Sequence, residues 1–271
     1  DPTDGFQVRR LRRVDPPAEA LARSSGVHGV YVTNALAAGQ AAGLLFERRG
    51  SAAVVAWFGP RGNLVLVCSS DVAGYEDQVA DHVLQSSLTW RIALGDGALV
   101  DALRRRGKRS VLTHRKQIYY AGGADQAARE WVREDLRAPS AGDRERLARA
   151  TLALNATDLN IAPDRVDRRW LYNTIDDRIR ERTTRVLGAV GDLESKVDFG
   201  SAGPGGIVLE GVYTFPESRG KGLGASIVAT CMAKSDVETS LHVAEDNYPA
   251  RRAYERAGMR QVGDCKLLLL G

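Results

Sequence analysis

The chain has 271 residues, of which 44% are hydrophobic and 27% charged, the balance of a globular protein and not of a disordered or membrane-embedded one. Its net charge of +4 and pI near 9.0 suit an anionic ligand, but the basic residues lack the dense clustering of a nucleic-acid binder, so no nucleic-acid partner is expected. No apolar run approaches the ~20 residues that span a bilayer, and the scattered Cys68, Cys231 and Cys265 and the dispersed His28, His82, His114 and His242 leave no disulfide framework and no metal centre to expect.

The start, Asp1-Pro2-Thr3-Asp4, carries neither a Met nor a signal-like apolar core, and is read as a trimmed end of a cytoplasmic protein whose thiols stay reduced. Strands are expected over Ala52–Phe58 and Leu64–Cys68, joined by the turn signal Gly59-Pro60-Arg61-Gly62-Asn63. A helix over Asp77–Gln85, a strand over Thr89–Leu94, a helix over Ala98–Arg106 closed by Gly107, and a strand over Arg109–Tyr120 follow. After the punctuation Ala121-Gly122-Gly123-Ala124, Asp143 is placed to cap a helix running towards Asn155, and Arg168–Arg182 reads as another helix. Strands near Arg185–Val190, Lys196–Phe199 and Ile207–Phe215 lead to a Gly-rich turn and a helix over Gly224–Ala233. A strand over Ser240–Ala244, a helix over Pro249–Ala257 and a strand over Cys265–Leu270 complete the alternation. The arginines at Arg9–Arg13 and Arg104–Arg109 read as solvated surface.

The halves echo each other. Ile92–Val111 and His242–Val262 share a strand, a polar turn, an Ala-containing helix and a closing Gly. With Gly107 set against Gly258, Asp96 falls on Asn247 and Leu103 on Tyr254, while Ser69 and Asp71 fall on Gly220 and Gly222. A first half without those glycines and without the tyrosine would be scaffold or acceptor wall.

Chemistry concentrates in Tyr213-Thr214-Phe215-Pro216-Glu217-Ser218-Arg219-Gly220-Lys221-Gly222-Leu223-Gly224-Ala225. A strand is stopped by Pro216, and a Gly-rich turn opens a helix with an apolar face of Ile227, Val228, Cys231 and Met232. Free backbone N–H groups and the positive end of the helix dipole make a pyrophosphate cradle from Arg219 to Ala225. Gly220, Gly222 and Gly224 let phosphate approach the backbone, and Arg219 and Lys221 add charge. Gly220-x-Gly222-x-x-Ala225 also fits a dinucleotide fingerprint with Glu245 downstream as the ribose acid, but the intervening Pro-Glu-Ser-Arg and the late position in the chain count against a nicotinamide cofactor.

Arg219-x-x-Gly222-x-Gly224 after a strand ending in Pro-Glu-x-Arg resembles motif A of the GNAT acyltransferases. Asn247-x-x-Ala250-x-x-x-Tyr254-Glu255-x-x-Gly258-Met259 is similar to their second motif, with Met in place of Phe. The chain also resembles a bacterial tandem-GNAT subgroup in which a degenerate GNAT-like domain precedes the active one. The resemblance implies an α/β fold built on mixed sheet, with two GNAT-like halves in tandem: a degenerate domain over 1–123 and a complete acyl-CoA N-acyltransferase domain over 124–271. It implies acetyl-CoA as cofactor, with backbone of Val212, Tyr213 and Thr214 along the pantetheine arm, Arg219, Gly220, Lys221, Gly222, Leu223, Gly224 and Ala225 on the pyrophosphate, and Asn247 on the arm as well as capping a helix.

Tyr254, a phenol with a reference pKa near 10, can protonate the leaving thiolate. Glu210 is the first candidate for the base that takes the amine proton, with His242 and Glu245 as alternatives; a solvated or ion-paired role competes for each. The expected acceptor is a small-molecule or peptide primary amine, entering between the halves or beside Asp143–Arg182, with Thr157–Pro163 setting specificity. No membrane partner is expected, and a homodimer is compatible with the sequence. A CoA-binding regulator without turnover and an aminoacyl-tRNA-dependent transferase are the alternative functions.

Overall fold

The computed structural model describes residues 5–271, so the expected trimmed start lies outside the described residues. Its described residues divide into two compact units: 5–118, 203–206 and 263–271 form one, and 119–202 with 207–262 the other.

The first unit contains β1 (Gln7–Arg10), α1 (Pro16–Arg23), α2 (Gly26–Ala37), β2 (Gly43–Arg48), β3 (Ser51–Phe58) and β4 (Asn63–Cys68). It continues with α3 (Glu76–Gln85), β5 (Ile92–Gly95), α4 (Gly97–Arg106) and the first residues of β6 (Val111–Gly122). β1 to β4 pair antiparallel in succession, β4 pairs parallel with β5, and residues 266–269 pair antiparallel with β5. Along β3 and β4 nearly every side chain is buried because both faces are covered. Val54, Ala56, Phe58, Leu64 and Leu66 share a core with Val79, Val83, Leu99 and Leu103 of α3 and α4. The alternate positions Val55, Trp57, Val65 and Val67 point to the other face, where α1 and α2 pack.

Local capping explains where the helices begin. Asp96 Oδ1 accepts from the N–H groups of Ala98 and Leu99 at 3.0 and 3.2 Å, starting α4 one residue before its expected position. Gly107 follows α4 but stays at φ −73°, so it closes the helix without a left-handed turn. The arginine tracts are ion-paired: Arg9 with Asp15 and Glu47, Arg105 with Asp77, and Arg106 with Asp81.

The elements before Ala52 were not anticipated. The sequence of α2, Gly26-Val27-His28-Gly29-Val30-Tyr31-Val32-Thr33-Asn34, has no polar stripe, because this helix is buried nearly all round. Its Asn34 acts as a substitute backbone group. Oδ1 accepts from Gly205 N–H at 2.8 Å and Nδ2 donates to Gly206 C=O at 3.0 Å, holding the 203–206 turn.

The second unit contains residues 119–122 of β6, then α5 (Arg144–Asp158), α6 (Arg168–Glu181), β7 (Thr184–Ala189), β8 (Asp192–Gly203) and β9 (Gly206–Thr214). α7 (Leu223–Ala233), β10 (Thr239–Ala244), α8 (Tyr248–Ala257) and the start of β11 (Arg260–Leu270) follow. Its strand order is β10-β9-β8-β7, with β9 and β10 parallel and β7 and β8 antiparallel. α5 and α6 pack together and bury Leu147, Leu171 and Ile175 against Val186, Leu193 and Phe215.

Asp143 stands at the N-cap position of α5, but its carboxylate serves the preceding turn. It is fully buried, takes both Arg137 Nη atoms at 2.8 and 3.1 Å, and accepts from Ser140 N–H and Gly191 N–H. Burial alone would raise its pKa; the Arg137 guanidinium and the backbone donors outweigh that and hold it down at about 2.

Candidate active site

The site lies in the second unit, where β9 runs into α7. β9 and β10 pair only from Ile207–Thr239 to Leu209–Leu241, although both strands continue beyond that ladder. The break coincides with Gly211 at φ +55°, a left-handed bend that an extended L-residue avoids. Past it, Val212, Tyr213 and Thr214 are half-buried. Their far side is held by β8: Ser195 Oγ donates to Tyr213 C=O at 2.9 Å, and Phe215 N–H to Glu194 C=O at 3.0 Å.

Pro216–Ser218 form one short 3-10 turn, followed by Gly220 at φ +81° and Gly222 at φ +76°. Two left-handed residues turn the chain into α7, which begins at Leu223, one residue earlier than expected. Ser226 N–H bonds Gly222 C=O and closes the first turn, so the N–H groups of Leu223, Gly224 and Ala225 have no intrahelical acceptor. The three glycines serve different ends. A Cβ at 220 would meet nothing within 4 Å, one at 222 would stand 2.2 Å from Trp131 Cζ3, and one at 224 would touch Ala253 of α8 at 3.6 Å.

Two residues that sequence reasoning missed shape this turn. The Trp131 ring closes one side of it, in a segment tied to α7 by Arg133 N–H donating to Thr230 Oγ1 at 2.9 Å. Arg146 of α5 stacks on the Phe215 ring at 3.7 Å and grips Glu217 Oε1 at 2.6 Å, fixing the Pro216–Ser218 turn. The loop's own cations are turned aside. Arg219 Nε donates to Thr214 C=O at 3.2 Å, and Lys221 Nζ pairs with Glu194 at 3.1 Å.

Asn247 caps α8, its Oδ1 accepting from Ala250 N–H at 3.3 Å, and Gly258 ends the helix in the left-handed region. Tyr254 is buried one turn before that end and meets the Tyr120 ring edge-to-face at 6.0 Å. Burial, and then the charge of Asp158 at the end of α5, push its phenol well above the ordinary tyrosine range. Among the described residues its hydroxyl has no hydrogen-bond partner. Tyr120 instead donates to Glu255 at 2.8 Å and accepts from Arg251 at 3.2 Å.

Glu210, just before the bend, is half-buried and lies flat on Gly200, where a Cβ would stand 2.1 Å from its carboxyl carbon. His242 meets the Tyr119 ring at 6.3 Å, and Glu245 is exposed on the turn before α8. Beneath the bend lies a buried charge cluster that the sequence reading did not find. Asp198 Oδ2 holds Lys196 Nζ at 2.5 Å and also Arg178 Nη1, and Oδ1 accepts from Thr184 Oγ1 at 2.6 Å. A Cβ at 211 would stand 3.0 Å from both Asp198 Oδ2 and Lys196 Nζ. Burial raises the pKa of Asp198, but Lys196 and Arg178 more than offset this and keep it ionised. The signal was present: Lys196 and Asp198 alternate about Val197 in one strand, which puts both charges on one face.

Burial pushes the Cys68 and Cys231 thiols up to about 12, which leaves them unreactive. Among the described residues no group of three or more His, Cys, Asp or Glu could hold a metal ion, and no helix is long and apolar enough to cross a membrane.

Residues 168–259 match the model of the acetyltransferase (GNAT) family. No curated protein matches the chain in sequence. Among solved structures, an X-ray structure of a Drosophila protein is similar with a TM-score of 0.61 at 12% identity, over 99% of each chain. A GCN5-related N-acetyltransferase from Sphaerobacter thermophilus gives 0.56 at 17% identity, over 97% of this chain and 94% of its own. An acetyltransferase of the GNAT family from Colwellia psychrerythraea gives 0.54 at 12% identity, over 98% and 100%. At such identities the likeness is one of fold, and it extends over nearly the whole chain.

Proposed function

We propose that the chain, whose residues 168–259 match the model of the acetyltransferase (GNAT) family, is an acyltransferase that transfers an acetyl group directly from acetyl-CoA to a primary amine. The observation that carries the proposal is the strand-to-helix passage from Glu210 to Ala225. There β9 leaves β10 at Gly211, and two left-handed glycines aim the uncommitted N–H groups of α7 into one turn. A cradle whose glycine at 220 leaves open space fits a pyrophosphate, and the helix dipole favours it.

In this reading Arg219 to Ala225 hold the pyrophosphate, Val212 to Thr214 present backbone groups to the pantetheine arm, and Asn247 steadies the arm while capping α8. Acetyl-CoA supplies the activated acyl thioester. An alkylammonium has a reference pKa near 10.4 and must lose a proton before it attacks. Glu210, beside the bend, takes that proton directly or through water. The amine nitrogen bonds to the carbonyl carbon, the carbon–sulfur bond breaks, and Tyr254 gives its proton to the thiolate. The raised phenol pKa keeps that proton in place at neutral pH. Holding both partners in attack geometry supplies several kcal/mol of the barrier.

We assign this chemistry to the domain over 124–271, with the acceptor entering beside α5 and α6, and place the protein in the cytoplasm. Calorimetry with CoA and an acetyl-transfer assay on an amine panel test the proposal. Saturable CoA binding with amide formation is expected; absence of CoA binding would refute it. Binding without transfer would instead identify a CoA-responsive regulator.

A further inference from the structure

In the proposed reaction Tyr254 gives up the proton, yet no polar group aims it. Its side chain is buried, and among the described residues its hydroxyl has no hydrogen-bond partner, so packing alone sets the direction of the phenol. A reacting group misplaced by ~1 Å can lose on the order of 10² in rate, so the ring that packs on this phenol matters.

That ring belongs to Tyr120, near the end of β6. It is completely buried, and its centroid lies 6.0 Å from that of Tyr254 with the planes 63° apart, an edge-to-face arrangement that aromatic pairs prefer. Unlike Tyr254, Tyr120 is pinned by its hydroxyl. The O–H donates to Glu255 Oε1 at 2.8 Å, and the oxygen accepts from Arg251 Nε at 3.2 Å. Arg251 and Glu255 stand four residues apart on α8 and share one face, next to the face that carries Tyr254. Each bond has a charged partner, which makes it stronger than a bond between neutral groups. Arg251 is held in turn: Nη1 donates to Glu245 C=O at 2.9 Å and Nη2 to Gln261 Oε1 at 3.4 Å. One phenol is thereby tied to the turn that leads to Asn247, to α8 and to the start of β11. Burial of the ring does not itself call for this clamp, because an apolar ring in the same place would leave no polar group to satisfy.

We infer that Tyr120 is a positioning residue for Tyr254: clamped to α8 through Arg251 and Glu255, its ring fixes the direction of the Tyr254 phenol. The inference rests on the acetyl-transfer reading, in which that phenol is the proton donor. Tyr120 acts only through Tyr254.

A kinetic double-mutant cycle and carbon NMR test it. Tyr120→Leu should lower kcat at least tenfold with KM for acetyl-CoA within about twofold. Tyr120→Phe keeps the ring but loses the clamp, and should fall between this variant and wild type. In a Tyr254→Phe background neither substitution should lower kcat more than about twofold further, because the group they position is gone. In protein labelled at tyrosine Cζ, the Tyr254 line is identified by its loss in Tyr254→Phe. It should move or broaden in Tyr120→Phe, where the neighbouring ring is still present and a change reports reorientation. A kcat loss that persists undiminished in the Tyr254→Phe background shows a merely structural role and overturns the inference, as does an unmoved Tyr254 line. Denaturant melts check folding; if Tyr120→Leu does not fold, Tyr120→Phe, which removes a single oxygen, carries both tests. A moved line in Tyr120→Phe together with an unchanged kcat in Tyr254→Phe supports the positioning contact and sinks the proton-donor assignment instead.

Discussion

Gly222→Ala separates two costs that the turn combines. The first is backbone: φ of +76° lies in the left-handed region, where an L-residue costs ~1–2 kcal/mol. The second is steric, because the new Cβ would stand 2.2 Å from Trp131 Cζ3 and 2.7 Å from Cη2. Forcing a methyl group into such a contact costs a further ~1–3 kcal/mol. Gly220→Ala has the same backbone problem at φ +81° but meets nothing within 4 Å, so it carries the first cost alone. At ~1.4 kcal/mol per tenfold, Gly220→Ala should lose about 5- to 30-fold and Gly222→Ala about 30-fold or more, summed over CoA affinity and folding stability. Calorimetric titration with CoA and denaturant melts of both variants measure the two parts. Trp131→Ala should recover much of the steric share in the Gly222→Ala background, appearing as a coupling of ~1–3 kcal/mol in a double-mutant cycle. Equal losses at 220 and 222, or no coupling with Trp131, would refute this account of the turn.

Tyr254→Phe should lower kcat by ~10²-fold or more while leaving CoA affinity intact, as loss of a proton donor requires. With the phenol pushed up by burial, kcat should show no alkaline decline below about pH 10 that this variant abolishes. Asp143 is ionised in the fold down to about pH 2, so its contribution of ~2 kcal/mol is complete above the ordinary carboxylate pKa. It is lost as pH falls from about 4 to 2, and stability of Asp143→Asn should be flatter than wild type across that window in denaturant titrations. Asp198→Asn strands Lys196 and Arg178 without their anion, and chemical denaturation should report a loss of ~3–5 kcal/mol.

Much of the second unit was legible because its signals are local. Pro216 and the glycines announce the turn, Asn247 and Gly258 bracket α8, and the helix read over 168–182 matches α6 to within one residue, although its many charges hide the buried face. What was missed depends on distant partners. Gly222 reads as room for phosphate, whereas its absent side chain also makes room for Trp131, a residue no spacing rule connects to it. α2 escaped because a helix buried on every side loses the periodicity that identifies helices, leaving an apolar run that also suits a strand. Lys196 and Asp198 were read as ordinary strand residues because no local pattern shows that Arg178 and the bend at Gly211 close over them.

The last strand has a consequence for synthesis on the ribosome. Residues 263–271 belong to the first unit, and Lys266–Leu269 pair with β5, which ends at Gly95. At ~5–20 residues per second, the neighbour of β5 emerges on the order of 10–30 s after β5 itself. Throughout that interval the nascent first unit carries an unfilled edge beside Ala93 and Leu94, and its sheet cannot be completed in order of translation. The arrangement makes the first unit's completion a late, long-range closure, slow by contact order and dependent on protection of that edge until Leu267–Leu270 arrive.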